Sequence, residues 1–279
     1  MKPNFFRLNR ASAEGRRPQK AAQGLAFWAY GGALVGVLLA TLLFAPAHWL
    51  AEWVFEGTGQ QLLLSDPRGT VWRGSAQLVL SGGPGSRDIA VLPDRVQWSV
   101  RPGVGGLTVS LLSECCTPDA WQLHVTPRLR SVLIELADAQ AFWPAELLTG
   151  LGTPWNTLEP SGQLSLQSRG LSAEWTDGKL IVAGGAILEA RDMSSRLSTL
   201  HPMGSYRLRI QGGAPISLTL ETLEGSLRLD GRGQWVESRL RFSGEASTQP
   251  EREAALANFL NIVGKRNGLR SVITIGSSS

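Results

Sequence analysis

Three histidines, two cysteines and scattered carboxylates are the groups able to do chemistry in this chain of 279 residues. No two of His48, His124 and His201 stand at a metal-ligand spacing such as H-x-x-x-H. His124 falls on the polar phase of an alternating run, between Leu123 and Val125, and His201 precedes Pro202 in a turn. Each reads as a structural or surface residue. No G-x-S-x-G elbow and no Walker loop occurs. Gly103, Gly105 and Gly106 follow Pro102 and open an alternating run, so they read as a turn and not as a phosphate loop. Asp66, Asp88 and Asp94 form no pair that spacing identifies, and solvated loops account for them. The chain is therefore not expected to be an enzyme or to hold a metal or cofactor.

Cys115 and Cys116 are adjacent and are the only cysteines. In an oxidising compartment they can form a strained vicinal disulfide or cross-link to another chain. They can also bind a soft metal weakly, or remain inert thiols.

The elements that would position these groups begin with an apolar run. Residues 23–51 contain no Asp, Glu, Lys or Arg, and residues 25–45 as a helix would extend about 31 Å, the depth of a bilayer's hydrocarbon core. Trp28 and Tyr30 lie near one end, Trp49 and Trp53 near the other, as interfacial aromatics do. The first 23 residues hold six cations and one acid, a net +5, which leaves −1 for the rest of a chain whose total is +4. Positive charge on the N-terminal side alone predicts a cytoplasmic tail at 1–23, an anchor at 24–51 and the remainder beyond the membrane. A cleaved signal peptide is the rival reading, with Ala45-Pro46-Ala47 as its site. The apolar core is longer than a signal peptide's, and no polar face supports a buried soluble helix. Gly32, Gly36 and Ala40 recur every four residues, a ridge of small residues that lets another helix approach. Because the basic charge sits in a tail, the folded part is not expected to bind nucleic acid.

Beyond the anchor the pattern is period two. Leu107, Val109 and Leu111, then Trp121, Leu123 and Val125, then Val132, Ile134 and Leu136 alternate with polar residues. Leu171, Ala173 and Trp175, then Ile216, Leu218 and Leu220, repeat the pattern later in the chain. Such short runs bounded by Gly, Pro, Ser or Asp are half-buried antiparallel strands, about a dozen of them. Two helices interrupt them. One is expected over 139–148, with Asp138 as its N-cap. The other opens on a capping box of Thr248 and Glu251, buries Leu256, Phe259, Leu260 and Val263, and stops at Gly264.

An internal repeat relates 162–186 to 225–246. Gly162, Leu164, Leu166, Arg169 and Gly170 match Gly225, Leu227, Leu229, Arg232 and Gly233 at an offset of 63, and Trp175 matches Trp235 at 60. Two hairpins of one plan, sharing an apolar face, imply an extended, curved antiparallel sheet and not a compact sandwich. Trp175 and Trp235 are expected on the apolar side of that one sheet. The periplasmic-side domain would run over 52–276, with a flexible end at 277–279.

From the anchor to about Gly276 the chain resembles the type II secretion system protein N family. The resemblance is carried by Gly69-Thr-Val-Trp-Arg-Gly-Ser-Ala76, Trp143-Pro-Ala-Glu-Leu-Leu148 and Gly152-Thr-Pro-Trp-Asn-Thr-Leu-Glu-Pro160. Ser194-Ser-Arg-Leu-Ser198, Pro202-Met-Gly-Ser-Tyr206 and Asn258-Phe-Leu-Asn-Ile262 continue it in order. It implies a single-pass inner-membrane protein of Gram-negative bacteria with a β-rich periplasmic domain. Its partners would be other secretion subunits, of the inner-membrane platform or the outer-membrane channel, and it brings no catalytic residues. A periplasmic lipid-handling protein, with an apolar β groove, is the alternative from a different class.

Overall fold

The computed structural model describes residues 19–176, 179–236 and 239–276. They fall into two units, divided after Phe44. The expected basic tail lies outside the described residues as far as residue 18, and the end at 277–279 lies outside them too. Helix α1, Gln19–Leu43, makes up the first unit. Among the described residues no helix is long and apolar enough to cross a membrane. Side chains of α1 are described over residues 29–43. In that stretch Tyr30, Leu34, Val35, Val37, Leu38, Leu39, Leu42 and Leu43 are all exposed.

The second unit begins with helix α2, Ala47–Gly57, and continues as strands. These are β1 (Leu62–Gly69), β2 (Arg73–Ser81), β3 (Ile89–Gly103), β4 (Gly106–Leu112), β5 (Trp121–Pro127), β6 (Ser131–Leu136) and β7 (Gln140–Pro144). A 3₁₀ turn at Ala145–Leu151 and the short helix α3, Trp155–Leu158, lead to the two longest strands, β8 (Pro160–Thr176) and β9 (Lys179–Ser195). Then come β10 (Gly204–Gln211), β11 (Ile216–Gly225), β12 (Leu227–Val236) and β13 (Arg239–Thr248). Helix α4 (Glu253–Val263), β14 (Lys265–Asn267) and β15 (Arg270–Ile275) complete the described chain.

All fifteen described strands join one antiparallel sheet; fourteen run in the order β1-β2-β3-β4-β5-β6-β8-β9-β10-β11-β12-β13-β15-β14, and β7 pairs with β8 off this path. Order in space follows order in the chain because most links are hairpins. The exceptions fall at β7 and at the β14–β15 pair. β6 pairs with the second half of β8, Leu136 opposite Leu171, and β7 with its first half, Ala141 opposite Leu166. Between them Asp138 accepts from the Gly170 N–H at 2.8 Å, and Ser168 Oγ accepts from the Ala139 N–H at 3.0 Å.

The helix expected over 139–148 is thus corrected: its first half is strand. The free edge of β8 supplies hydrogen bonds to residues 140–144, and Asp138 bonds across strands instead of capping. The capping box is corrected as well. Thr248 is buried at the end of β13, and its hydroxyl donates to Ser226 O and Gln249 O at 3.4 Å. No side chain caps α4, which starts after a single 3₁₀ turn at Pro250–Arg252. The expected apolar face of α4 is present: Leu256, Phe259 and Leu260 are buried.

The core lies in three patches on the sheet. Under α4 are Leu227, Ala246, Tyr206 and Met203. Beneath α2, Ala47 meets Ala76 and Trp98. The 3₁₀ turn brings Leu147 against Leu92 and Cys116, with Trp143 and Val96 beside them. Trp98 lies over Gly74, where a Cβ would sit 2.5 Å from the ring, and donates its indole N–H to Thr70 O and Val71 O at 3.2 and 3.1 Å. A side chain at residue 74 would displace the ring from both carbonyls.

Candidate functional site: the uncovered apolar face

Opposed residues of an antiparallel ladder share a face, so register alone assigns the sides. One row runs Val109, Leu123, Leu136, Leu171. The next runs Leu107, Val125, Ile134, Ala173, Val182, and a third Val132, Trp175, Leu180. Farther along the sheet come Ala186, Ile210, Leu218, Gly233, Phe242, Ile275, and then Ile216, Trp235, Leu240. The same side carries Trp98, opposite Leu111, and therefore bears all three core patches. The apolar face of β4 to β9 contains no polar side chain in these rows. It is also only partly covered: Leu107, Val132, Ile134 and Leu180 are exposed.

Trp175 and Trp235 both stand on this side, at 55% and 46% exposure, each opposite a leucine beside its hairpin end. They line an open surface and not an enclosed core. The repeated stretches 162–186 and 225–246 fold as the β8–β9 and β12–β13 hairpins. Their matched glycines, Gly162 and Gly225, have φ of 132° and 124°, a region that L side chains avoid.

The opposite face is mostly polar. Thr108, His124, Glu135 and Ser172 form one row. In another, Arg207 lies between Glu189 and Glu221. Glu189 accepts from Arg191 at 2.7 Å and from Arg207 at 2.8 Å, and these guanidinium groups hold its carboxyl below the usual glutamate range. Arg68 and Arg95 do the same for Asp66. Tyr206, buried under α4 and donating to Leu227 O at 3.1 Å, has its phenol pushed up by burial.

The structure joins Cys115 to Cys116, in the β4–β5 connection. Cys116 O accepts from the Phe142 N–H at 2.8 Å, so the bonded pair borders β7. His48 sits edge-on to its neighbour Trp49 on α2, with centroids 6.2 Å apart, while His124 and His201 are exposed. No group of three His, Cys, Asp or Glu able to hold a metal occurs among the described residues. Asp88 receives the Asn156 amide at 2.9 Å in a cleft of about 630 Å³, tying α3 to the β2–β3 connection. On α1, a Cβ at Gly32 or Gly36 would meet nothing within 4 Å, and Ala40 O accepts from the Phe44 N–H.

The sequence showed the alternation but not which stretch would stay uncovered. That depends on where α2, α4 and the 3₁₀ turn land, and these cover only parts of the face. Register and exposure together define a sheet with an open apolar surface. The chain belongs to the type II secretion system protein N family, whose model matches residues 60–272, almost the entire sheet. Membership ties it to type II protein secretion and to work alongside other subunits of that machinery. No curated protein and no solved structure matches it.

Proposed function

We propose that this protein is an accessory inner-membrane subunit of the type II secretion machinery. In this reading α1 is a single-pass anchor, the basic tail is cytoplasmic, and the sheet is a periplasmic interaction module without catalytic chemistry. The open apolar face opposite a charged one carries the proposal, because large exposed apolar patches mark interaction sites. The sheet's edges are less suited to partners. α2 packs beside β1, and β14 is three residues long with two cations, a protected edge. The anchor is supported by the uncharged run 25–45 and by the exposed aliphatic side chains of α1. A photo-crosslinker at Trp175 or Trp235 in whole cells is expected to capture a secretion subunit. Capture from polar-face positions such as His124 alone would overturn the assignment of the face. A periplasm-dependent reporter fused after residue 150 tests topology: activity is expected, and an expressed but inactive fusion would remove the anchor.

A second reading, lipid handling, is favoured by one observation. The rows from β4 to β9 carry aliphatic side chains and a single indole, Trp175, which suits acyl chains. Lipid co-purifying with the wild-type chain and lost from the double variant Trp175→Asp, Trp235→Asp would support it.

A further inference from the structure

The end of the sheet where three hairpins finish side by side carries features the open face does not account for. In an antiparallel meander alternate turns lie at one end. The β3–β4, β5–β6 and β8–β9 ends are level as well as adjacent, since Leu107 faces Val125, Pro127 faces Val132, and Ser131 faces Thr176. At the first tip Val104 is fully exposed in a two-residue turn between Gly103 and Gly106. The second tip fully exposes Leu129, between Arg128 and Arg130. It is a closed turn, with Arg128 N–H donating to Ser131 O at 2.8 Å. Glu174 of β8 pins it by accepting from Arg128 at 3.1 Å and from the Ser131 hydroxyl at 2.8 Å. Leu129 is thus held outward by a fixed turn. Arg130 and Arg101 have no carboxylate partner among the described residues. Trp175 and Leu180 stand just behind the tips, one rung from the β8–β9 end.

From this we infer that the sheet end bearing the β3–β4 and β5–β6 tips seats on an anionic lipid surface, with Val104 and Leu129 entering the acyl boundary. Protruding aliphatics with guanidinium groups beside them and an indole behind form the layered pattern of an interfacial contact. Two isolated tips offer little of the roughly 800 Å² per partner that a stable protein interface uses. Free cations complement anionic headgroups. The inference stands whether or not the open face carries lipid.

The test uses the full chain in vesicles. Cys115 and Cys116 are bonded to each other, so one added cysteine can bear an environment-sensitive fluorophore. Val104→Cys and Leu129→Cys place it at the tips, Arg87→Cys at the opposite end of the sheet, and Leu38→Cys on α1. With anionic vesicles containing nitroxide-labelled lipid, blue-shifted and quenched emission is expected at 104 and 129 but not at 87. Arg130→Glu is expected to weaken quenching at 129 several-fold. Val104→Asp is expected to weaken it by roughly ten-fold or more, the partitioning lost with one buried aliphatic. Unquenched probes at 104 and 129 overturn the inference whatever position 38 reports, so a failed anchor and a failed contact are told apart. Equal quenching at 87 overturns it, and equal quenching on neutral vesicles overturns the anionic surface.

Discussion

Three tryptophans show how similar residues in one sheet take different roles. Trp98 is 5% exposed and holds two backbone carbonyls, whereas Trp175 and Trp235 are about half exposed with apolar neighbours only in their rows. Trp98→Ala is therefore expected to cost about 3–5 kcal/mol. Trp175→Ala and Trp235→Ala should cost about 1–2 kcal/mol each, since half of each ring is already in water. Thermal and urea unfolding check both, and equal losses at all three positions would show the face to be covered. Glu189 gives a residue-scale pH dependence. Its folded pKa lies below the unfolded value of about 4.3, so its stabilisation is present above that pH and is lost as pH falls through the lowered folded value. Glu189→Gln is expected to lower stability by roughly 1–3 kcal/mol at pH 7 and to flatten the acid limb of the stability curve. An unchanged acid limb would mean that the two arginines do not set the carboxyl's affinity for protons.

Among the elements, strands such as β4, β5, β6 and β11 were legible because period-two alternation is written into them. The sheet needs Leu107, Val109 and Leu111 on one side whatever their partners are. The segments that failed depend on distant residues. The run 139–148 has a usable cap in Asp138 and looks helical, yet β8 offers it an unpaired edge that no local pattern reveals. Thr248 and Glu251 have capping-box spacing, but β13 continues through Thr248 and takes its hydroxyl for Ser226 and Gln249. The apolar stripe of α4 was readable because Leu256, Phe259 and Leu260 recur at helical spacing. Its energetic weight is testable. Leu260→Ala removes a side chain with no exposed surface and is expected to cost about 2–5 kcal/mol, while Ile262→Ala on the outer side should stay near 0.5 kcal/mol. Similar losses at both would place α4 in a different orientation on the sheet.

At the scale of the whole molecule the question is how the two units serve one machine. Gly32 and Gly36 of the ridge with Ala40 have open space above them on α1. If α1 pairs with another membrane helix there, Gly32→Leu with Gly36→Leu is expected to weaken association by about 1 kcal/mol per contact, read in a membrane two-hybrid assay. Unchanged association would leave α1 without a packing role. The candidate surface was only half legible at this scale: the apolar rows were in the sequence, but their lack of cover was not. Cover is set by what the connections fail to reach, and period-two spacing says nothing about that.

Strand order that follows chain order has a consequence for how such a molecule changes in evolution. A hairpin can be duplicated or deleted without rethreading any neighbour, so the width of the sheet is adjustable in steps of two strands. At about 4.8 Å per strand the fourteen strands along the main path cover roughly 60 Å of surface. The likeness between the β8–β9 and β12–β13 hairpins fits growth by such a step, and makes the fold a ruler whose reach is set by copy number and not by redesign.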